Sequence, residues 1–333
     1  MRLRALRIYQ SDTAPDSGVR AVLDSMQVDD LTPGDVLIRV LYSSINYKDA
    51  LAATGAGKIL RRYPLNGGVD LAGVVVQSTD PVFTAGQSVL VTGCGLSETL
   101  DGGYAEFARV PAAAVIAMPA GLDALSAMTL GTAGFTAALA IHRMEQNGQT
   151  PEQGEIAVTG ATGGVGSLAI DMLRARGYAI NAITGKATES DYLRQLGAQR
   201  ITLRDEVKLA GAALEPVRFA GAIDSLGGEW LSWLLRRTRL MGNVTSIGMA
   251  SGAQLHTSVM PFILRGVNLL GITSSNTPRA LREQIWQRIA TDMKPAHLDL
   301  IRTRVVSLTE LPQLFGEYLQ SSVRGRTVVR IQN

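Results

Sequence analysis

The run Glu155-Ile-Ala-Val-Thr-Gly160-Ala-Thr-Gly163-Gly164-Val-Gly166-Ser-Leu-Ala-Ile-Asp-Met-Leu constrains the chain most. Ile156, Ala157 and Val158 have the composition of a buried parallel strand. Glycines stand at 160, 163, 164 and 166, and apolar residues then recur at helical spacing in Val165, Leu168, Ala169, Met172 and Leu173. Strand, glycine turn and helix in that order is the setting of a dinucleotide-binding fingerprint. The glycines let the backbone turn sharply and approach a pyrophosphate. The helix N-terminus offers it free N–H donors and a partial positive charge. The spacing departs from strict G-x-G-x-x-G, so a glycine turn that binds nothing is the competing reading for this stretch taken alone.

Gly177 is the expected stop of that helix, and Tyr178–Thr184 reads as the next strand. Its end is where an NAD-binding chain places Asp or Glu on the ribose hydroxyls. Here stand Thr184, Gly185 and Lys186, with Tyr192 and Arg200 farther on and no acid at the strand end. A carboxylate would repel a ribose 2′-phosphate, whereas a hydroxyl and a lysine would hold it. The expected cofactor is NADPH; the competing view of Lys186 is a solvated loop lysine.

A chain of 333 residues suggests two domains, and 46% hydrophobic with 18% charged residues is an ordinary globular composition. The net charge is +3 with no basic run, so no nucleic-acid surface is expected. The single cysteine, Cys94, excludes an internal disulfide and suits a reducing cytoplasm. The start, Met1-Arg-Leu-Arg-Ala-Leu-Arg-Ile, reads as a charged strand rather than a signal segment. No apolar run is expected to reach the ~18 residues of a membrane span.

Residues 1–125 read as short strands at Arg4–Tyr9, Asp35–Ser43, Leu71–Gln77, Gln87–Thr92 and Tyr104–Val110, separated by turn residues. That spacing suggests a partly open barrel. From 126 to 300 helices alternate with apolar strands, including Gly221–Asp224, Gly242–Ile247 and Val267–Ile272, the pattern of a doubly wound parallel sheet. Residues 301–333 return to β-type sequence around a helix near Leu308–Leu319, as if completing the first domain.

Ser43-Ser-Ile-Asn-Tyr-Lys-Asp-Ala50, Pro64-Leu-Asn-Gly-Gly-Val-Asp70-Leu-Ala-Gly73, Gly131-Thr-Ala-Gly-Phe-Thr136 and the glycine run follow one another, with Met260-Pro-Phe-Ile-Leu-Arg-Gly-Val and Gly325-Arg-Thr-Val-Val later. In that order they resemble the zinc-independent quinone-oxidoreductase branch of the medium-chain dehydrogenase/reductases. Within it they are most similar to the bacterial NADPH-dependent acrylyl-CoA reductase group. The resemblance runs from end to end. It implies a GroES-like barrel carrying the catalytic residues, a Rossmann domain for NADPH, and a homodimer. The dimer contact could be an edge strand at Val267–Ile272; a buried internal strand explains the same pattern.

Zinc relatives carry Cys and a Gly-His-Glu where this chain has Ser44 and Gly68-Val-Asp70, and the four-cysteine structural cluster is absent, so no metal site is expected. An activated double bond, in an enoyl-CoA, a quinone or an alkenal or other enone, is then the better hydride acceptor; an NADPH sensor or RNA-binding protein is the non-enzymatic alternative. Tyr47 is the expected proton or hydrogen-bond donor, with Asn46 orienting substrate or nicotinamide ribose and Asp49 orienting a neighbour. A packing tyrosine and a helix-start acid are the competing readings. The resemblance also places Tyr47, Thr136, Thr162, Gly163, Gly164, Val165, Gly166, Gly248, Met249, Ile263 and Ser274 along the cofactor, with Thr132 and Gly134 opening a helix beneath the nicotinamide. Relatives have Asn near the cofactor where Ser321 and Ser322 stand. Arg61 and Arg62 suit coenzyme A phosphates or plain solvent equally. His142, His256, His297 and Cys94 read as packing or surface residues, and Trp230, Trp233 and Trp286 as core or interface.

Overall fold

The computed structural model describes residues 1–10 and 18–332 and divides into two compact units. The first comprises Met1–Thr132, Ser275–Gln284 and Leu298–Asn333, the second Ala133–Ser274 and Ile285–His297. In chain order the elements are β1 (Arg2–Gln10), β2 (Val19–Gln27), β3 (Val36–Ser44), α1 (Tyr47–Thr54), β4 (Leu65–Asn66), β5 (Asp70–Ser78), β6 (Ser88–Thr92), β7 (Phe107–Val110), β8 (Ile116–Ala117) and α2 (Ala124–Gln146). Then follow β9 (Ile156–Thr159), α3 (Gly164–Ala175), β10 (Ile180–Thr184), α4 (Ser190–Leu196), β11 (Arg200–Leu203), β12 (Phe219–Asp224), α5 (Gly228–Arg237), β13 (Thr238–Ser246), α6 (Met260–Arg265) and β14 (Asn268–Gly271). The last are α7 (Arg279–Ala290), α8 (Leu298–Ile301), β15 (Arg302–Ser307), α9 (Leu311–Leu319) and β16 (Arg326–Arg330).

Two sheets build the first unit. β1 buries Leu3 and Ala5 on one face and Leu6 and Ile8 on the other, each pair in its own core cluster, so the strand is covered on both sides rather than half-buried. Its sheet has the order β2-β1-β4, and a larger sheet runs β15-β16-β3-β5-β6-β8 with β7 on β3. A bridge from Ala5 to Ala105 and the bond from Leu6 N to the Tyr104 carbonyl at 2.8 Å join the two sheets. β16 pairs antiparallel with β3, so the C-terminal segment returns to the N-terminal barrel. β2 was not anticipated because its residues are mostly exposed and show no apolar alternation.

The second unit is a six-stranded, wholly parallel sheet in the order β11-β10-β9-β12-β13-β14. The strand order reverses direction at β9, so the glycine turn after it lies at the topological switch point where such sheets bind ligands. α5 packs Trp230, Trp233 and Leu234 into the core over β12 and β13. Phe219 meets Trp233 edge-on with centroids 5.5 Å apart.

The boundary expected near residue 125 falls inside α2, whose backbone breaks at Gly131 (φ 50°, ψ −154°). The expectation about membrane spans needs correcting here. α2 is 23 residues long and apolar enough to cross a bilayer, with 78% of its most apolar window buried inside the protein. Its apolarity is met by packing, with Met128, Leu130, Phe135, Leu139 and Ile141 all in the core.

Candidate active site

α1 starts from a reciprocal cap. Asp49, its third residue, accepts from Asn46 N at 2.8 Å through Oδ2, and its Oδ1 accepts from Val69 N at 2.9 Å. This ties the helix start to the strand that follows. The Asn46 amide is committed inward: Nδ2 donates to Asp70 Oδ2 at 2.8 Å and to Asp49 Oδ2 at 3.2 Å, and Oδ1 accepts from Arg326 Nη1 at 3.1 Å. Both amide hydrogens are therefore bonded to carboxylates and the amide oxygen to Arg326. Asp49 is 1% exposed and holds the cap. Burial first, then the Asp70 charge, pushes its carboxyl up to about 7 against the pull of its hydrogen bonds.

Asp70 is the hub. Its Oδ2 accepts from Ser44 Oγ at 2.7 Å and Thr132 N at 2.9 Å, and its Oδ1 from Thr132 Oγ1 at 2.5 Å. Arg326 answers it with Nη2 at 3.9 Å, donates to Ser44 Oγ at 2.7 Å, and caps the Ile45 and Thr129 carbonyls at 3.0 Å each. A buried ion pair of this kind is tolerable only when its remaining polar atoms are satisfied. Gly131 sits against it because a Cβ there would lie 2.6 Å from Asp70 Oδ2, 2.8 Å from Arg326 Nη2 and 2.8 Å from Ser44 Oγ, at φ 50°. Above this network Tyr47 opens the helix with its side chain 45% exposed. Of the three expected catalytic side chains it alone faces outward.

In the second unit Gly160 turns at φ 59° after β9 and Gly163 caps α3. Gly166 has no room for a side chain, since a Cβ would lie 2.4 Å from the Gly160 carbonyl oxygen. That close approach packs the helix on its strand and leaves the N–H groups at its start, at Gly164 and Val165, without intrahelical acceptors. Thr162 and Gly166 are buried; Gly163, Gly164 and Val165 are partly open. The neighbouring turn after β12 is locked to this one: Thr159 Oγ1 donates to Asp224 Oδ1 at 2.6 Å and accepts from Ser225 N at 2.9 Å. Gly248 fits against it, since a Cβ would meet the Ser225 carbonyl oxygen at 2.5 Å. Ser225 went unnoticed in the sequence; its hydroxyl is buried without a partner beside Gly160. Met249 and Ile263 are exposed, Ser274 is half-buried beyond β14, and Thr136 is buried within α2.

At the end of β10 the residues sort differently from expectation. Thr184 is buried and its hydroxyl accepts from Lys186 N at 3.0 Å, forming the turn. Tyr192 points into the core, donating to Ser167 Oγ at 2.8 Å. Arg200 stands opposite Asn181, at the start of β11, paired with Glu155 at 3.0 Å. It is thus at the amino edge of the sheet, away from the glycine turn. The arginine beside Gly185 is Arg204: a Cβ on Gly185 would lie 2.8 Å from its Nε. Residue counting could not separate the two, because Arg200 opens the four-residue β11 and Arg204 follows its other end. Gly185, Lys186 and Arg204 form the basic group at the strand end. In the first unit Ser321 (φ 55°) and Ser322, which donates to the Glu317 carbonyl at 3.0 Å, close the end of α9.

Residues 32–120 match the family "Alcohol dehydrogenase GroES-like domain" and residues 164–291 the family "Zinc-binding dehydrogenase". An Escherichia coli (strain K12) protein named "Probable acrylyl-CoA reductase AcuI" is 44% identical over 99% of this chain and 100% of its own. A Bacillus subtilis (strain 168) protein with the provisional name quinone oxidoreductase YhfP is 45% identical over 92% and 93%. The crystal structure of the yhdH oxidoreductase from Salmonella enterica in complex with NADP superposes with a TM-score of 0.95 at 42% identity, covering all of both chains. That of Bacillus subtilis yhfP with NAD bound gives 0.96 at 42% identity, covering 99% of this chain and all of the other.

The chain is a medium-chain dehydrogenase/reductase. Within that family it is an NADPH-dependent oxidoreductase, and the glycine turn, the free N–H groups of α3 and the Lys186–Arg204 pair fit that cofactor. The name of the second matched family mentions zinc. Among the described residues, however, no three His, Cys, Asp or Glu side chains are placed to hold a metal ion. Ser44 and Asp70 bond to each other and to Arg326.

Proposed function

We propose that this reductase saturates the carbon–carbon double bond of a short α,β-unsaturated acyl-CoA, acrylyl-CoA above all, giving the saturated thioester. End-to-end identity of 44% to the Escherichia coli protein named "Probable acrylyl-CoA reductase AcuI" carries the reading. Bound NADPH supplies the hydride, which goes to the β carbon of the substrate. Negative charge then gathers on the thioester oxygen, and a proton must reach the α carbon. Tyr47 is the side chain suited to both needs: its hydroxyl donates to the oxygen, and the N-terminus of α1 beneath it favours the same negative charge. The cap formed by Asn46, Asp49, Asp70 and Arg326 fixes where Tyr47 leaves the helix. Arg61 and Arg62 are exposed on the loop after α1, where they suit coenzyme A phosphates.

A quinone as acceptor is the second reading, supported by the similarity to the Bacillus protein of that name. NADPH oxidation measured side by side with acrylyl-CoA, crotonyl-CoA and a benzoquinone separates them. The thioester reading expects kcat/KM for acrylyl-CoA of at least ~10⁴ M⁻¹s⁻¹, and a loss with Arg61→Glu/Arg62→Glu that the quinone reaction does not share. Quinone turnover alone would overturn it.

A further inference from the structure

The sheet of the second unit has an amino edge that cofactor binding leaves unused. There β12 and β13 fall out of step: Phe219 pairs with Thr238, yet Gly221 pairs with Asn243, so the intervening residues of β13 bulge out of the ladder. The bulge is written into the chain. Met241 stands at φ 59°, and a side chain on Gly242 would lie 2.5 Å from the Ala220 carbonyl oxygen. Bulges re-aim side chains. This one sets Arg239 and Leu240 with Arg218, Phe219, Val217 and Glu155 around a cavity of about 310 Å³.

The charges there do not balance locally. Glu155 is taken by Arg200 at 3.0 Å, and Glu215 by Arg236 at 2.6 Å and by Arg237. Arg218 donates to the Thr202 hydroxyl at 3.1 Å and lies 5.4 Å from the Phe219 ring centroid; Arg239 donates to the Gln153 carbonyl. Both contacts are with neutral groups, so among the described residues neither guanidinium forms an ion pair with a carboxylate, and the one acid in the lining, Glu155, is held by Arg200. Burial, then the charges of Arg200 and Arg237, hold the Arg218 guanidinium below its ordinary range against the opposing pull of Glu155 and Glu206. Guanidinium forks match phosphate oxygens in pairs. Val217 and Leu240 add exposed apolar surface, at 54% and 64%.

We propose that this cavity binds a small organic phosphate, with the phosphate between Arg218 and Arg239 and an apolar body against Val217 and Leu240. It is separate from the cofactor cradle, since β12 spans six residues between them, or roughly 20 Å. The test is calorimetric titration of phenyl phosphate into the full chain saturated with NADPH, so that the cofactor's own phosphate positions are filled. Saturable binding is expected, weakened by about ten-fold or more in Arg218→Ala/Arg239→Ala, with NADPH oxidation unchanged. Inorganic phosphate should bind more weakly. Arg239→Gln, which gives up one carbonyl contact, should show the same direction and guards against misfolding of the double variant. No saturable heat up to about 10 mM, or equal affinity in the variants, would overturn the site. Equal binding of inorganic phosphate would overturn the apolar body.

Discussion

Tyr47 and Arg204 are the residues on which the chemistry is expected to turn, and each can be tested alone. Tyr47→Phe keeps the ring and the helix start but removes the donor. It should lower kcat by about 10²-fold with little change in KM for NADPH; a kcat within a few-fold of wild type would make Tyr47 a packing residue. Arg204→Ala should raise KM for NADPH about ten-fold and leave NADH nearly unaffected, the cost of one charge-assisted contact to the 2′-phosphate. The same change at Arg200 should do neither, because its guanidinium is held by Glu155 at the other edge of the sheet. Gly131→Ala would force a side chain to φ 50° and into Asp70, Ser44 and Arg326. Backbone strain alone costs about 1–3 kcal/mol, and a lowered urea midpoint with unchanged slope would report it.

At the scale of the element, the start of α1 is a titrating device. The Asp49 carboxyl lies near 7 in the folded protein, above its ordinary value. A raised carboxylate means that the folded state binds the proton more tightly than the unfolded chain. Its contribution therefore declines as pH rises from about 4 and bottoms out above about 7. His142 acts oppositely: burial, then Arg288, lowers its imidazole, so its contribution declines as pH falls below the ordinary histidine range. Urea melts at several pH values between 5 and 8 should show a shallower fall of stability with rising pH in Asp49→Asn than in wild type. Equal slopes would mean that Asp49 stays ionised throughout. Helix α1 itself was legible only as a segment after Ser43-Ser44. Its cap closes onto Val69 and Asp70, and nothing local in the sequence says which strand a helix start will face.

For the whole molecule, β14 is the edge strand of the parallel sheet, and Val259, Ile263 and Leu264 beside it expose apolar side chains. An open edge with flanking apolar surface is a pairing template, and we infer that two chains join there. Light scattering should give twice the mass of one chain, and Leu270→Pro, which denies the edge a backbone donor, should return it to one. A wild-type monomer would remove the proposal. The substrate panel belongs to this scale too, because it asks what the complete enzyme accepts.

The sequence alone determined the two kinds of fold and the cofactor. Alternation, glycine turns and the missing acid after β10 are local signals, set by backbone sterics and by which charges a phosphate tolerates. Only the tertiary structure decided the site's wiring. It turned the Asn46 amide inward, brought Arg326 to Ser44 across 282 positions, and put Arg204 rather than Arg200 beside Gly185. It also brought Arg218 and Arg239 to one cavity with no ion pair to a carboxylate among the described residues. Which groups meet across distant segments depends on how the apolar faces pack and which end of a strand a residue occupies. Spacing along the chain carries neither.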